Sequence, residues 1–254
     1  MRFKQIFTGS VLIVILGSFI VPTWLLGDVY IKQKRHTDAF EMMGQTQPAK
    51  DEILNIWLSK DRGRIDLGED HSVIILRDQG IMYLEDHTKM QYREVPFGSL
   101  DEIVSHSLAQ SDMSVAEQAE AQKFMKGMMG MMKAEASVTE TAETKNIKGW
   151  NTRKYIMKTK IMMMEGTSEI WATEDIDIDY DLYRSLGAPF MAKQPGFEQI
   201  FEEMKKIKGI ALLTVTTSRA TGAEMRSTEE VLEAVEKSAP SGTYEVSQGY
   251  NKEN

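Results

Sequence analysis

Apolar and polar residues alternate along most of this chain in short runs, and turn-forming residues separate the runs at close intervals. Val29–Lys34 alternates cleanly, and Ile53–Leu58 carries Leu54, Ile56 and Leu58 on one side with Ile53 and Trp57 on the other. A period of two sends successive side chains to opposite faces of a strand, so each run has one face to bury. Val73–Leu76 and Ile81–Leu84 flank Asp78-Gln79-Gly80, and Tyr83-Leu84 and Met90–Val95 flank Asp86-His87-Thr88-Lys89. Strands this short, joined by turns this tight, pair antiparallel with their chain neighbours as a meander.

The pattern resumes at Ala136. Lys154–Met164 reads as the longest strand, with Tyr155, Met157, Ile161 and Met163 on one face, Gly166 as its break, and Thr167–Thr173 pairing back. Glu174, Asp175, Asp177, Asp179 and Asp181 alternate with Ile176, Ile178 and Tyr180, the pattern of a strand with a solvated acidic face. Ile210–Thr217 is β-branched and strand-like. Residues 225–236 fit a helix capped by Ser227 and Glu230 or an alternating strand, and are read as strand.

Two segments change period. Ser114-Val115-Ala116-Glu117 has the spacing of a capping box and opens a helix near 115–132, with Met125, Met128, Met129 and Met132 on one face. Phe197, Ile200, Phe201, Met204 and Ile207 mark a second helix near 197–208, ended by Gly209. No fixed repeat and no Pro- or Gly-rich linker divides the chain, so residues 28–254 are expected to form one domain.

Residues 1–27 differ from all the rest. Arg2 and Lys4 precede Ile6–Leu26, which is free of charge, and Gly27 precedes the polar chain that opens at Asp28. That order is expected of a cleaved export signal, which places the mature protein in the periplasm or outside the cell. The apolar run is also long enough to span a bilayer, so an uncleaved inner-membrane anchor stays open. Losing Arg2 and Lys4 takes Lys+Arg from 30 to 28 against 38 acids, a net charge of −10. Such a surface repels nucleic acid. The chain has no cysteine, which excludes thiol redox chemistry, cysteine nucleophiles and thiolate metal sites.

Three segments carry a family resemblance: Asp28-Val29-Tyr30-Ile31-Lys32-Gln33-Lys34, Glu169-Ile170-Trp171-Ala172-Thr173-Glu174-Asp175-Ile176, and Pro240-Ser241-Gly242-Thr243-Tyr244-Glu245-Val246. With the order of strands and helices behind an export signal, the chain resembles the periplasmic lipoprotein-carrier-like (LolA/LolB-like) superfamily. The nearer likeness is to a family of exported bacterial proteins within or beside it. The resemblance implies a mainly β fold, a half-open antiparallel β-barrel covered by two or three short helices. It also implies an apolar ligand class. It transfers no functional residue.

Methionine is the compositional outlier, with 18 in the chain. Unbranched thioethers adapt to irregular apolar shapes. Three readings stand for Met125, Met128, Met129 and Met132: core filling, a soft lining for an acyl chain, or thioether ligation of Cu(I). With Phe201 and Met204, these four are the candidate lining of an apolar pocket. The histidines His36, His71, His87 and His106 show no zinc-ligand spacing, and His87 is expected in a solvated turn. No Gly-x-Ser-x-Gly elbow and no phosphate-binding glycine loop is present. Trp57, Trp150 and Trp171 read as wall or core residues.

The expected function is therefore that of an exported, non-enzymatic binding protein. It would hold a lipid or acylated lipoprotein between a curved sheet and its helices, without cofactor, metal or nucleic acid, and meet an envelope-protein partner transiently. The alternatives are a Met-rich periplasmic copper protein and a structural envelope protein without ligand.

Overall fold

The alternating runs fold into one large sheet. The computed structural model describes residues 27–42, 44–96, 114–131, 134–176, 178–187, 196–220 and 223–253, without the side chains of 125, 126 and 128–131. The strands are β1 (Val29–Thr37), β2 (Phe40–Met42), β3 (Gln45–Gln47), β4 (Lys50–Leu58), β5 (Arg62–Leu67), β6 (His71–Leu76), β7 (Ile81–Asp86) and β8 (Gln91–Pro96). After helix α1 (Val115–Met131) come β9 (Ala134–Ile147), β10 (Trp150–Ile161) and β11 (Met164–Thr173). Helices α2 (Tyr180–Gly187) and α3 (Glu198–Met204) precede β12 (Ile210–Ala220), β13 (Ala223–Glu236) and β14 (Asn251–Lys252).

Twelve strands form a single sheet in the order β14-β8-β7-β6-β5-β4-β1-β13-β12-β11-β10-β9, and β2 and β3 pair separately. The sheet curves but does not close into a barrel, so the fold is mainly β with few helices. The strand β1 is the hinge of the topology. It pairs with β4 on one side and with β13 on the other, both antiparallel, and thereby fuses the meanders before and after α1. Every pairing in the large sheet is antiparallel except that of β14 with β8.

The turns follow from side-chain chemistry. Between β7 and β8 the Asp86 carboxylate accepts from Thr88 N, Thr88 Oγ1 and Lys89 N at 3.0, 2.6 and 3.0 Å. The Thr88 hydroxyl and then Lys89 hold this carboxyl far below the usual carboxylate range. In the hairpin of β10 and β11 the structure corrects the sequence reading. Ile161 pairs with Met164, so Met162-Met163 is the loop, with Met162 at φ 56°. Gly166 lies inside β11 opposite Thr159, where a Cβ would come within 2.6 Å of Thr159 Oγ1. The glycine makes room for a neighbour instead of ending the strand.

A second correction concerns 174–181. Residues 174–176 bend, and Tyr180 and Asp181 open α2 instead of continuing a strand. Asp179 caps that helix, its Oδ1 accepting from Leu182 N–H at 2.8 Å, while Oδ2 takes a 2.7 Å hydrogen bond from Arg77 Nη1. Leu182 and Leu186, one helical turn apart, then bury in the core. Alternation prevails over the alternative helix at 225–236, which lies within β13.

One face of the sheet carries two apolar clusters. The first gathers Ile31, Leu54, Ile56, Ile65, Ile75, Leu212 and Val231 with Leu182 and Leu186 of α2. The second gathers Tyr155, Met157, Ile170 and Ala172 with Ile207, and Ile200 and Met204 of α3 pack against it. Both edges of the sheet are partly covered. α3 clips β9, as Val138 N donates to Glu203 Oε2 at 2.7 Å and Gln199 Nε2 donates to the Ala136 carbonyl at 3.2 Å. At the other edge β14 pairs with β8. Such cover removes some of the free ladder groups that invite a foreign strand.

The described part of α1 is mostly exposed, Val115 at 83 % and Phe124 at 70 %. Its capping box forms as expected, with Ser114 N and Oγ both donating to Glu117 Oε2 at 2.8 and 2.6 Å.

Candidate functional site

The two clusters do not meet completely. Between them, under α2 and α3, lies a cavity of about 270 Å³. Its lining comes from β4 and β5 (Leu54, Ile56, Ile65), from β10 and β11 (Met157, Ser168, Ile170), and from α2 (Tyr183, Arg184, Leu186). Met204 of α3, Ile207, Gly209 and Ala211 close it. In a flat sheet, six strand steps of about 4.8 Å would hold β5 and β10 roughly 29 Å apart. One space can be lined by both Ile65 and Met157 only because the sheet curves.

The apolar lining is interrupted by one polar row. Arg35 pairs across the sheet with Glu52 on β4 and with Glu229 on β13, and Glu229 pairs with Thr214 on β12. Arg35 Nε donates to Glu229 Oε1 at 2.6 Å, and Gln33 Nε2 donates to Glu229 Oε2 at 3.0 Å. Glu52 lies 3.9 Å from Arg35 Nη1. Gln33, Arg35, Thr214 and Glu229 all line the cavity. Tyr183 faces the same space. Burial, and secondarily the charge on Glu229, push its phenol above the usual tyrosine range, so it stays a neutral hydroxyl. The cavity is thus a greasy space with a compensated charge pair and uncharged hydrogen-bonding groups along one side.

On the opposite face lies a second polar assembly. Arg64 donates through Nε to Asp66 at 2.7 Å, through Nη2 to Ser72 Oγ at 3.0 Å, and through Nη1 to the Thr243 carbonyl at 3.4 Å. Ser72 Oγ gives its proton to Asp66 Oδ1 at 2.6 Å, and His87 contacts Ser72 Oγ through Nε2 and Tyr250 OH through Nδ1, both at 2.7 Å. Ser72 and His87 thus meet in space, as distant members of a catalytic group would. Here the serine proton points at Asp66 rather than at the imidazole, and Ser72 is 1 % exposed. The assembly is a fastening for the C-terminal segment, and His87, in the turn where the sequence places it, is part of that fastening rather than solvated.

Of the residues singled out in the sequence, Met204 lines the cavity. Phe201 is half-buried on α3 and is not in the lining. Met132 and the side chains of Met125, Met128 and Met129 fall outside the described residues. Met157, grouped in the sequence with Met162–Met164, reaches the cavity, whereas those three sit exposed at the hairpin tip. Trp57 packs on Tyr30 at 4.8 Å on the opposite face, Trp171 lies 3.9 Å beneath Lys145 Nζ, and Trp150 borders the core. Among the described residues no group of three or more His, Cys, Asp or Glu side chains is placed to hold a metal ion, and no helix is long and apolar enough to cross a membrane.

Sequence reasoning missed Tyr183, Arg35 and Glu229. Arg35 and Glu229 sit on inward positions that continue from apolar ones, Val29 and Ile31 in β1 and Val231 in β13, a break in pattern that marks a polar group on the buried face. The cap of α2 positions Tyr183. Asp179→Ala removes both the cap and the ion pair with Arg77, and is expected to lower stability by about 1–2 kcal/mol in urea unfolding. No change in the unfolding midpoint would show that neither contact holds α2.

No family model and no curated protein matches this chain. A solved structure of PNGF-II is similar at a TM-score of 0.36 and 13 % identity, covering 87 % of this chain and 30 % of that one. The chain thus spans less than a third of that protein's length, and a likeness so slight carries no argument about function.

Proposed function

We propose that this is an exported, non-enzymatic binding protein that holds one apolar chain in the cavity between the curved sheet and helices α2 and α3. The observation that carries the reading is the cavity itself, about 270 Å³, near the lower end of ligand pockets at roughly 300–1,000 Å³. Its walls are largely branched aliphatics, with two flexible thioethers, Met157 and Met204, on the side of the second cluster. An open, curved sheet with helices over one face agrees with the architecture that the lipoprotein-carrier resemblance implies, and supports the same ligand class. The size favours a single chain. The buried Ser72, whose proton is engaged by Asp66, supports a binding protein over a serine hydrolase. The basic, apolar N-terminal segment supports the periplasm or the exterior as its place of work.

Titration with N-phenyl-1-naphthylamine, an uncharged apolar fluorophore, tests the reading. The protein is expected to bind the probe in the micromolar range. Met204→Trp, which fills the cavity from a half-buried helix position, is expected to weaken binding about tenfold while the circular dichroism spectrum is kept. Absence of probe binding by the folded, unsubstituted protein would leave a ligand-free structural role in its place.

A further inference from the structure

The hydrogen-bonding capacity left over in the cavity points to the head group of the ligand. Each cation there is already engaged. Arg35 donates through Nε to Glu229 at 2.6 Å, which offsets its charge, while Glu52, 3.9 Å away, is paired more closely with Lys50 at 2.7 Å. Arg184 donates to Asp181 Oδ1 at 2.9 Å and to the Ile207 carbonyl at 2.8 Å. Besides the terminal nitrogens of Arg35, whose charge Glu229 offsets, the groups without a hydrogen-bond partner among the described residues are uncharged: the Tyr183 hydroxyl, the Gln33 amide oxygen and the Thr214 hydroxyl. Gln33 is 8 % exposed and its amide nitrogen is committed to Glu229 at 3.0 Å, which leaves the oxygen as an acceptor.

We infer that the cavity selects a single-chain amphiphile with an uncharged, hydroxyl-bearing head group, of the monoacylglycerol or long-chain alcohol class, over a fatty-acid anion. The inference rests on the apolar-ligand reading above. A head-group hydroxyl donates to the Gln33 oxygen and accepts from Tyr183, and its tail lies along Ile56, Ile65 and Ile170. A carboxylate entering the same place leaves water, meets in Arg35 a cation whose charge Glu229 already offsets, and faces Glu229 itself. A net negative charge added beside Glu229 is disfavoured more strongly than a hydroxyl that gains two hydrogen bonds.

Displacement of N-phenyl-1-naphthylamine by monodecanoylglycerol and by decanoate at pH 8 tests this. Decanoate is fully ionised there, and the two ligands share one tail. Monodecanoylglycerol is expected to displace the probe at a concentration at least about tenfold lower than decanoate. Tyr183→Phe removes the donor, and the ratio between the two ligands is expected to shrink about fivefold or more. Glu229→Gln releases Arg35 from its strongest partner, and the affinity for decanoate is expected to rise. Equal displacement by both ligands, or a ratio that Tyr183→Phe leaves untouched, overturns the inference while probe binding preserves the apolar-ligand reading. Failure of the probe itself to bind overturns both.

Discussion

Replacing Gly209 by alanine is expected to cost more than about 4 kcal/mol, a loss seen only when a substitution breaks a specific structural requirement. Gly209 follows α3 at φ +88°, a region that residues with a side chain rarely occupy. A Cβ built there lies 1.8 Å from the carbonyl oxygen of Thr173 and 2.3 Å from its carbon. Those atoms are backbone at the end of β11, where Thr173 pairs with Ile210 and is 1 % exposed, so they cannot swing aside as a side-chain tip would. To admit a methyl group the first pair of the β11–β12 ladder must open. Since domains hold a margin of about 5–15 kcal/mol, the variant is expected to be largely unfolded or to show a steeply lowered urea midpoint. Gly209 also lines the cavity, so whatever folded fraction remains should bind the apolar probe poorly. An alanine variant within about 1 kcal/mol of the unsubstituted protein would show that β11 and β12 meet more loosely than the structure has them.

Arg64→Ala is expected to have the next largest effect, about 3–5 kcal/mol, because it leaves a buried carboxylate behind. The Glu85 side chain is 0 % exposed and its Oε2 lies 3.1 Å from Arg64 Nη2. That contact is an ion pair without hydrogen-bond geometry, so Oε2 depends on the guanidinium charge for its compensation. The other oxygen, Oε1, accepts from Ser247 N–H at 2.6 Å. Arg64 further binds Asp66, Ser72 and the Thr243 carbonyl, and through them the C-terminal segment that reaches Tyr250 and β14. The loss should therefore appear both as a lower unfolding midpoint and as faster proteolysis after residue 237. Glu85→Ala in the Arg64→Ala background should recover part of the loss, since no charge then stays buried. Additive losses in that double-mutant cycle would show that the two charges are not coupled.

The residues that local pattern could identify are those whose role is set by near neighbours. The turns at 78–80 and 86–89, the capping box at Ser114 and Glu117, and strands β1, β4, β12 and β13 were all legible. In each, the deciding forces are backbone geometry, a nearby side-chain acceptor, or which face turns to water. Pattern misled where a near neighbour from elsewhere in the chain intervened. Glycine at 166 looks like a strand end, but its opposite number Thr159 needs the space. The alternating run at 174–181 looks like a strand, but Asp179 finds Arg77, 102 positions away, and caps a helix instead.

The sequence by itself determined the periods, the turns and hence a mainly β chain with a buried face on nearly every strand. That follows because side-chain alternation and turn chemistry act within a few residues. Only the tertiary structure decided where the cavity lies and what is polar in it. Arg35 and Glu229 meet across 194 positions because β1 pairs with β13, and Ile65 shares a space with Met157 because the sheet curves through six strand steps. Alternation assigns each residue a face but never names the partner strand, so a site assembled across that pairing exists only once the long-range ladder has formed.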